Sequence, residues 1–171
     1  MPFRMSIEVV QVAPDSPEAI ELIGELDEHL MGHPYPAQSR HAFSVEKLLR
    51  EEVVFFVTWY EGKLAGCGGI KMFGDYGEVK RMFVRPEFRG MGLGKLMLRY
   101  LALYAVRHGT NTVRLETGIY EVEAIGLYER CGFQRRAPFG EYVEDPMSIY
   151  FEKHLPDFRR QQDEEKRPQQ H

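Results

Sequence analysis

Arg89-Gly90-Met91-Gly92-Leu93-Gly94-Lys95 separates a strand-like run, Glu78 to Val84, from a long segment with helical apolar spacing, Leu93 to His108. Three alternating glycines at a strand-to-helix junction let backbone approach a ligand closely, with several N–H groups directed outward. The helix N-terminus adds partial positive charge, and Arg89 and Lys95 add full charges, a combination suited to a pyrophosphate. The plainer reading is a tight turn, and glycine spacing alone does not separate the two. Two common phosphate motifs fail directly. A Walker loop needs Gly at Arg89 and Ser or Thr at Leu96, and the dinucleotide fingerprint needs Gly where Lys95 or Met97 stands.

Working outward, Pro86 ends the preceding strand, and Gly109 closes the following helix. Upstream, Ile7 to Val12 reads as a strand. Ser16 and Pro17 open a helix carrying Ile20, Ile23, Leu26 and Leu30 up to Gly32, and Ser44 opens a short helix with Val45, Leu48 and Leu49 inward. Val53 to Tyr60, Leu64 to Phe73 and Glu78 to Val84 form a three-stranded meander. Downstream come a strand over Thr112 to Thr117, a helix over Glu123 to Cys131, and strands over Phe133 to Arg136 and Met147 to Lys153. The order β, α, α, β, β, β, α, β, α, β, β predicts an α+β fold, a three-layer α/β/α arrangement with helices on both faces of the sheet.

The 171 residues suit one domain, placed at 1–156, followed by a charged, solvated tail over 157–171. Hydrophobic residues at 43% and charged residues at 28% are ordinary for a globular chain, and a net charge of -4 argues against a nucleic-acid coat protein. No segment approaches the apolar length of a membrane span, and no signal peptide is visible, so no membrane partner and a cytoplasmic location are expected. Cys67 and Cys131 lack the spacing of a zinc or redox centre. His29 and His33 have the i, i+4 spacing of a metal pair, but Gly32 and Pro34 flank the second and no third ligand follows nearby, so no metal is expected.

Beyond the loop, Arg89, Gly92 and Gly94 match the signature Arg/Gln-x-x-Gly-x-Gly/Ala, Met82-x-Val84-x-Pro86 precedes it, and Ala124-x-x-Leu127-Tyr128-Glu129-x-x-Gly132-Phe133 follows. With these three linked motifs the chain resembles the GCN5-related N-acetyltransferase (GNAT) superfamily, whose element order and mixed, mostly antiparallel sheet it also shares. The resemblance implies acetyl-CoA as co-substrate. The backbone of Met82, Phe83 and Val84 would face the pantetheine arm, and Arg89, Gly90, Met91, Gly92, Leu93, Gly94 and Lys95 would hold the pyrophosphate. It also allows a homodimer.

Transfer from a thioester to an amine needs a base, a stabilised oxyanion and a proton for the leaving thiolate. By the resemblance, Glu78 stands where several relatives carry a base; the plainer reading is a carboxylate paired with Lys80 or Arg81. Tyr128 matches the tyrosine that protonates the thiolate in many relatives, and it can equally anchor the core through its ring. Glu121 departs from the pattern, since many relatives carry Asn there. Lys80 and Arg81 could hold a carboxylate on the acceptor, and the loop Pro138 to Pro146 could cover its pocket. The expected activity is acetyl transfer to a primary amine of a small molecule in a ternary complex. A catalytically silent acyl-CoA-binding module and a protein or peptide N-acetyltransferase are the alternatives.

Overall fold

The computed structural model describes residues 5–40 and 43–156; the segment 157–171 read as a tail lies outside them. Within the described residues, four α-helices and seven strands follow in the expected order: β1 (Ile7–Val12), α1 (Pro17–Met31), α2 (Val45–Arg50), β2 (Val54–Tyr60), β3 (Lys63–Met72), β4 (Gly77–Val84), α3 (Leu93–Arg107), β5 (Thr112–Gly118), α4 (Val122–Arg130), β6 (Gln134–Arg136) and β7 (Ser148–His154). The caps act where the sequence places them. The Ser16 side chain accepts from the Ala19 N–H at 3.3 Å, and Ser44 accepts from the Lys47 N–H at 3.1 Å.

All strands lie in one sheet of order β1-β2-β3-β4-β5-β7-β6. Period-two alternation divides the core between its faces. Phe55 and Val57 of β2 pack with Leu22, Ile23 and Leu26 of α1 and Leu48 of α2, while Phe56 packs with Met97, Leu98 and Leu101 of α3. Burying each such side chain contributes about 1.5–3 kcal/mol. Two expected apolar positions lie off these faces: Ile20 is 50% exposed because Ala19, Leu22, Ile23 and Leu26 make the inward stripe, and Leu49 is 44% exposed because the short α2 buries only Leu48. Among the described residues no helix is long and apolar enough to cross a membrane.

Every pairing is antiparallel except β4 with β5, which are joined by α3 as the crossover. That parallel pairing covers only Gly77↔Val113 and Glu78↔Arg114, after which the strands part. On its other edge β4 carries a bulge, since the register with β3 runs from Gly69↔Lys80 to Cys67↔Phe83, so that Arg81 and Met82 oppose Gly68 alone. Arg81 takes φ 54°, a left-handed conformation that costs a non-glycine residue about 1 kcal/mol or more. Close to this bulge β3 needs glycine, because a Cβ on Gly66 would lie 2.6 Å from the Phe83 carbonyl oxygen. Because α3 begins where β4 ends, its N-terminus stands at the carboxyl end of the parting strands, the place where open α/β sheets hold ligands.

Candidate active site

The glycine loop turns the chain from β4 into α3 through left-handed residues. Gly90 and Gly92 take φ 79° and 80°, and a Cβ on either would meet nothing within 4 Å, so backbone conformation and not crowding calls for glycine at both. Gly92 is the N-cap of α3 and supplies no side-chain hydrogen bond to the first-turn N–H groups. Gly94 has a different reason: a Cβ there would lie 2.7 Å from Leu127 Cδ2, so this glycine lets α3 press against α4. Leu93 is buried against Ala65 and Phe88, which fixes the start of the helix, while Met91 and Lys95 face outward. Arg89 folds back across the loop. Its Nε donates to the Val84 carbonyl at 3.0 Å, and its Nη1 pairs with Glu123 at 3.0 Å.

The separation of β4 from β5 opens a cleft of about 370 Å³, bounded by α1, the segment before α2, the two strands, α4 and the loop before β7. Glu78, Lys80, Arg81, Met82 and Tyr128 all line it. Phe83 instead packs into the core beside α1, and Val84 lies at the loop end against Ala65, Phe88 and Leu93, as expected for strand residues whose backbone can still face a ligand.

Glu78 is buried and forms an ion pair with the buried Lys80; Tyr142 donates to Glu78 Oε2 at 2.8 Å, and Lys80 donates to the Tyr142 hydroxyl at 3.0 Å. Lys80 Nζ also sits 4.1 Å from the centre of the Phe43 ring. Burial holds the Lys80 ammonium below its ordinary pKa, against the opposing pull of Glu78. Arg81 turns toward α1, pairing with Asp27 and donating to the Ile23 carbonyl at 3.4 Å. Both cations singled out for an acceptor carboxylate are therefore engaged by protein acids. Arg85, from the motif around Val84, clamps α1 to β4 through Glu21 and Glu25 and reaches the Leu64 carbonyl at 2.8 Å.

Tyr128 is 5% exposed, its ring edge-on to Phe133 at 5.8 Å and tilted against Phe151 at 5.9 Å, yet it borders the cleft. The ring anchors the core while the residue borders the cleft. Burial, and then the acids Glu116 and Glu121, push its phenol well above the ordinary range, so it stays protonated at neutral pH.

The structure adds two cleft residues that the sequence reading did not single out. Glu116 on β5 accepts from the Ser148 hydroxyl at 2.9 Å; burial pushes its carboxyl up to about 7, against the Ser148 bond and Lys80 and with the help of Glu78. Its one sequence signal was an acid sharing a strand face with Arg114 in an otherwise apolar and threonine-rich strand. Tyr142 comes from the aromatic, acidic loop Pro138 to Pro146 and is the residue of that loop that lines the cleft. A second depression of about 440 Å³, between the end of β1 and α2, has Glu52 as its sole titratable lining residue and gathers no comparable chemistry.

Comparison with known proteins agrees with this architecture. The sequence pattern described as "Acetyltransferase (GNAT) family" matches residues 20–133. A protein named IAA acetyltransferase from Azospirillum brasilense is 41% identical over 151 residues, covering 85% of this chain and 98% of its own. The crystal structure of a Klebsiella pneumoniae protein assigned as an acyl-CoA N-acyltransferase superposes with a TM-score of 0.73 at 33% identity, covering 87% of this chain and 97% of that one. In fold alone, the chain is also similar to the paiA N-acetyltransferase of Thermoplasma acidophilum, solved in complex with coenzyme A, with a TM-score of 0.71 at 22% identity over 88% of this chain and all of that one. The chain belongs to the acetyltransferase (GNAT) family and is an acyltransferase of the N-acetyltransferase class.

Proposed function

We propose that the cleft transfers an acetyl group from acetyl-CoA to a primary amine of a small molecule by direct attack in a ternary complex. The observation that carries this reading is the parting of β4 and β5 immediately after Glu78, which puts a carboxylate, a protonated tyrosine and unpaired strand edge around one small cleft. The volume of about 370 Å³ is at the small-ligand end of pocket sizes, and Tyr35, Phe43 and Tyr142 narrow it. In this reading the loop amides from Gly90 to Lys95 hold the pyrophosphate, with Arg89 contributing charge, and the pantetheine lies along Met82, Phe83 and Val84.

Glu78 removes a proton from the acceptor ammonium, directly or through water, and the freed amine attacks the thioester carbonyl. A backbone N–H near Met82 or Phe83 steadies the oxyanion. As the C–S bond breaks, Tyr128 donates its proton to the departing thiolate, and the second proton lost by the attacking nitrogen returns through water to the tyrosine oxygen. One observation favours a second assignment of the base, because the Glu116 carboxyl, pushed up to about 7, changes charge where a general base is most effective.

The pH dependence of kcat/KM separates the two carboxylates. Glu78→Gln is expected to lower kcat/KM by about 10²–10³ and to abolish the acidic limb. An unaltered limb would discard Glu78, and loss of the limb in Glu116→Gln would transfer the role. The acceptor is found by following thiol release from acetyl-CoA against amino acids, polyamines, aminoglycosides and short peptides, and IAA, from the name of the Azospirillum relative, belongs in that panel. Release with peptides alone would favour the protein-directed alternative. Cofactor binding with no release across the panel would favour a silent acyl-CoA-binding module.

A further inference from the structure

Along the chain no third metal ligand follows close to His29 and His33. The fold supplies one from 92 residues beyond His29: Glu121, at the N-cap of α4, stands against the C-terminal end of α1. His29 Nε2 lies 2.8 Å from Glu121 Oε2 and His33 Nε2 lies 3.9 Å from Oε1, and the three residues bring one ligating atom each within 4.8 Å of one another.

We propose that His29, His33 and Glu121 bind one divalent transition-metal ion of the zinc type. Four ligands at about 2.0–2.1 Å from a tetrahedral zinc stand roughly 3.3 Å apart, and small side-chain rotations would bring the three ligating atoms, all within 4.8 Å of one another, to that spacing. Two imidazoles and a carboxylate are a donor set suited to zinc and its neighbours, and they leave a further position for water or a donor atom of an acceptor.

The donors are also supported from behind. The Tyr35 hydroxyl donates to Glu121 Oε1 at 3.3 Å and accepts from the Tyr120 N–H at 3.0 Å. The Tyr35 ring lies against Gly118, where a Cβ would come 2.1 Å from its hydroxyl oxygen, and the His33 ring stacks on Tyr120 at 5.7 Å while meeting His29 edge-on at 5.2 Å. Such outer contacts fix ligand orientation in metal sites. Glu121 and Tyr35 both line the cleft, so an ion here ties α1 to α4 at the acceptor side. The alternative is a plain histidine–glutamate hydrogen-bonded cluster, which binds no ion.

The test uses the tag-free full chain, stripped with a chelator and titrated with Zn²⁺ by calorimetry and with Co²⁺ by visible absorption. Zn²⁺ is expected to saturate at one equivalent, and Co²⁺ to develop the intense visible bands of a four-coordinate site. Loss of an outer partner weakens metal sites about 10–100-fold, so loss of a ligand in His33→Ala or Glu121→Gln should weaken Zn²⁺ binding at least that far. His108→Ala and His154→Ala should bind as the wild type does. Absence of stoichiometric uptake by the wild type overturns the proposal, as does unchanged affinity in His33→Ala. Circular dichroism of the stripped proteins establishes that each variant is folded, and His29→Ala replaces any that is not. The readout is metal binding, so the result does not depend on which acceptor the cleft serves.

Discussion

The proposed donor and acceptor ends of the site, the glycine loop and the cleft between β4 and β5, are built on opposite plans. The donor end is one continuous segment, β4 into the glycine loop into α3, and what it presents is backbone: Gly90 and Gly92 in left-handed conformations, followed by an uncapped helix start. The acceptor end is made of side chains from distant segments, with Tyr35, Phe43, Glu78, Glu116, Tyr128 and Tyr142 converging from six places in the sequence. A backbone site depends on a few residues that set conformation and is indifferent to the identity of an outward residue such as Met91. A side-chain site depends on each group it brings together. Mutations at one end should therefore alter a different constant from mutations at the other.

After Glu78→Gln, the largest expected effect is also at the acceptor end. Tyr128→Phe keeps the ring that packs on Phe133 and Phe151 and removes only the hydroxyl. Turnover should fall about 10²-fold, the low end of a general-acid contribution, while the dissociation constant for CoA measured by calorimetry stays within about twofold. Unchanged turnover would remove Tyr128 from the reaction.

Next in size is a stability effect at the same end. The Glu116 carboxyl is raised from 4.5 to about 7 in the folded chain, so between these values the native state keeps a proton that the unfolded chain has lost. Stability therefore falls as pH rises through this window, and the penalty is fully present above it. At 1.36 kcal/mol per unit, and after allowance for partial solvent screening, it amounts to about 2 kcal/mol. Glu116→Gln should be more stable than the wild type by that amount at pH 8 in urea unfolding and by little at pH 5. An equal gain at both values would mean that burial does not shift this carboxylate.

The same contrast governs what could be read from the sequence. The helices and strands lie within a residue or two of their expected bounds because local chemistry sets them: serine caps, Pro17, glycines after helices, and β-branched runs. The glycine loop was legible as a strand-to-helix turn because its determinants are adjacent. At the acceptor end, Glu78 and Tyr128 were reachable only through motif position. Glu116 was not singled out, because nothing local distinguishes a strand acid facing solvent from one facing a cleft. In the sequence Glu121 stands out only as a departure from a motif. Its partners His29, His33 and Tyr35 lie at least 86 residues away, and only the docking of α1 against α4 brings them together. The left-handed Arg81 in the β4 bulge was equally invisible, since an arginine carries no sign of a positive φ.

The smallest effect gives the sharpest separation of the two ends. At Gly92, φ is 80° and a Cβ would meet nothing within 4 Å, so Gly92→Ala introduces conformational cost without a clash. An L-residue held in this region costs about 1–2 kcal/mol, and the chain can escape part of that by shifting the first turn of α3. Either way the N–H groups move off the geometry proposed to receive the pyrophosphate, and CoA affinity should fall about tenfold, equivalent to about 1.4 kcal/mol. Asparagine tolerates the left-handed region better than alanine, so Gly92→Asn should recover part of the loss if backbone conformation is the cause. If Asn and Ala lose equally, a side chain at this position obstructs the ligand itself. The acceptor KM should not move in either variant. A rise there would mean that the start of α3 also shapes the acceptor pocket, and the division between a backbone-built end and a side-chain-built end would not hold.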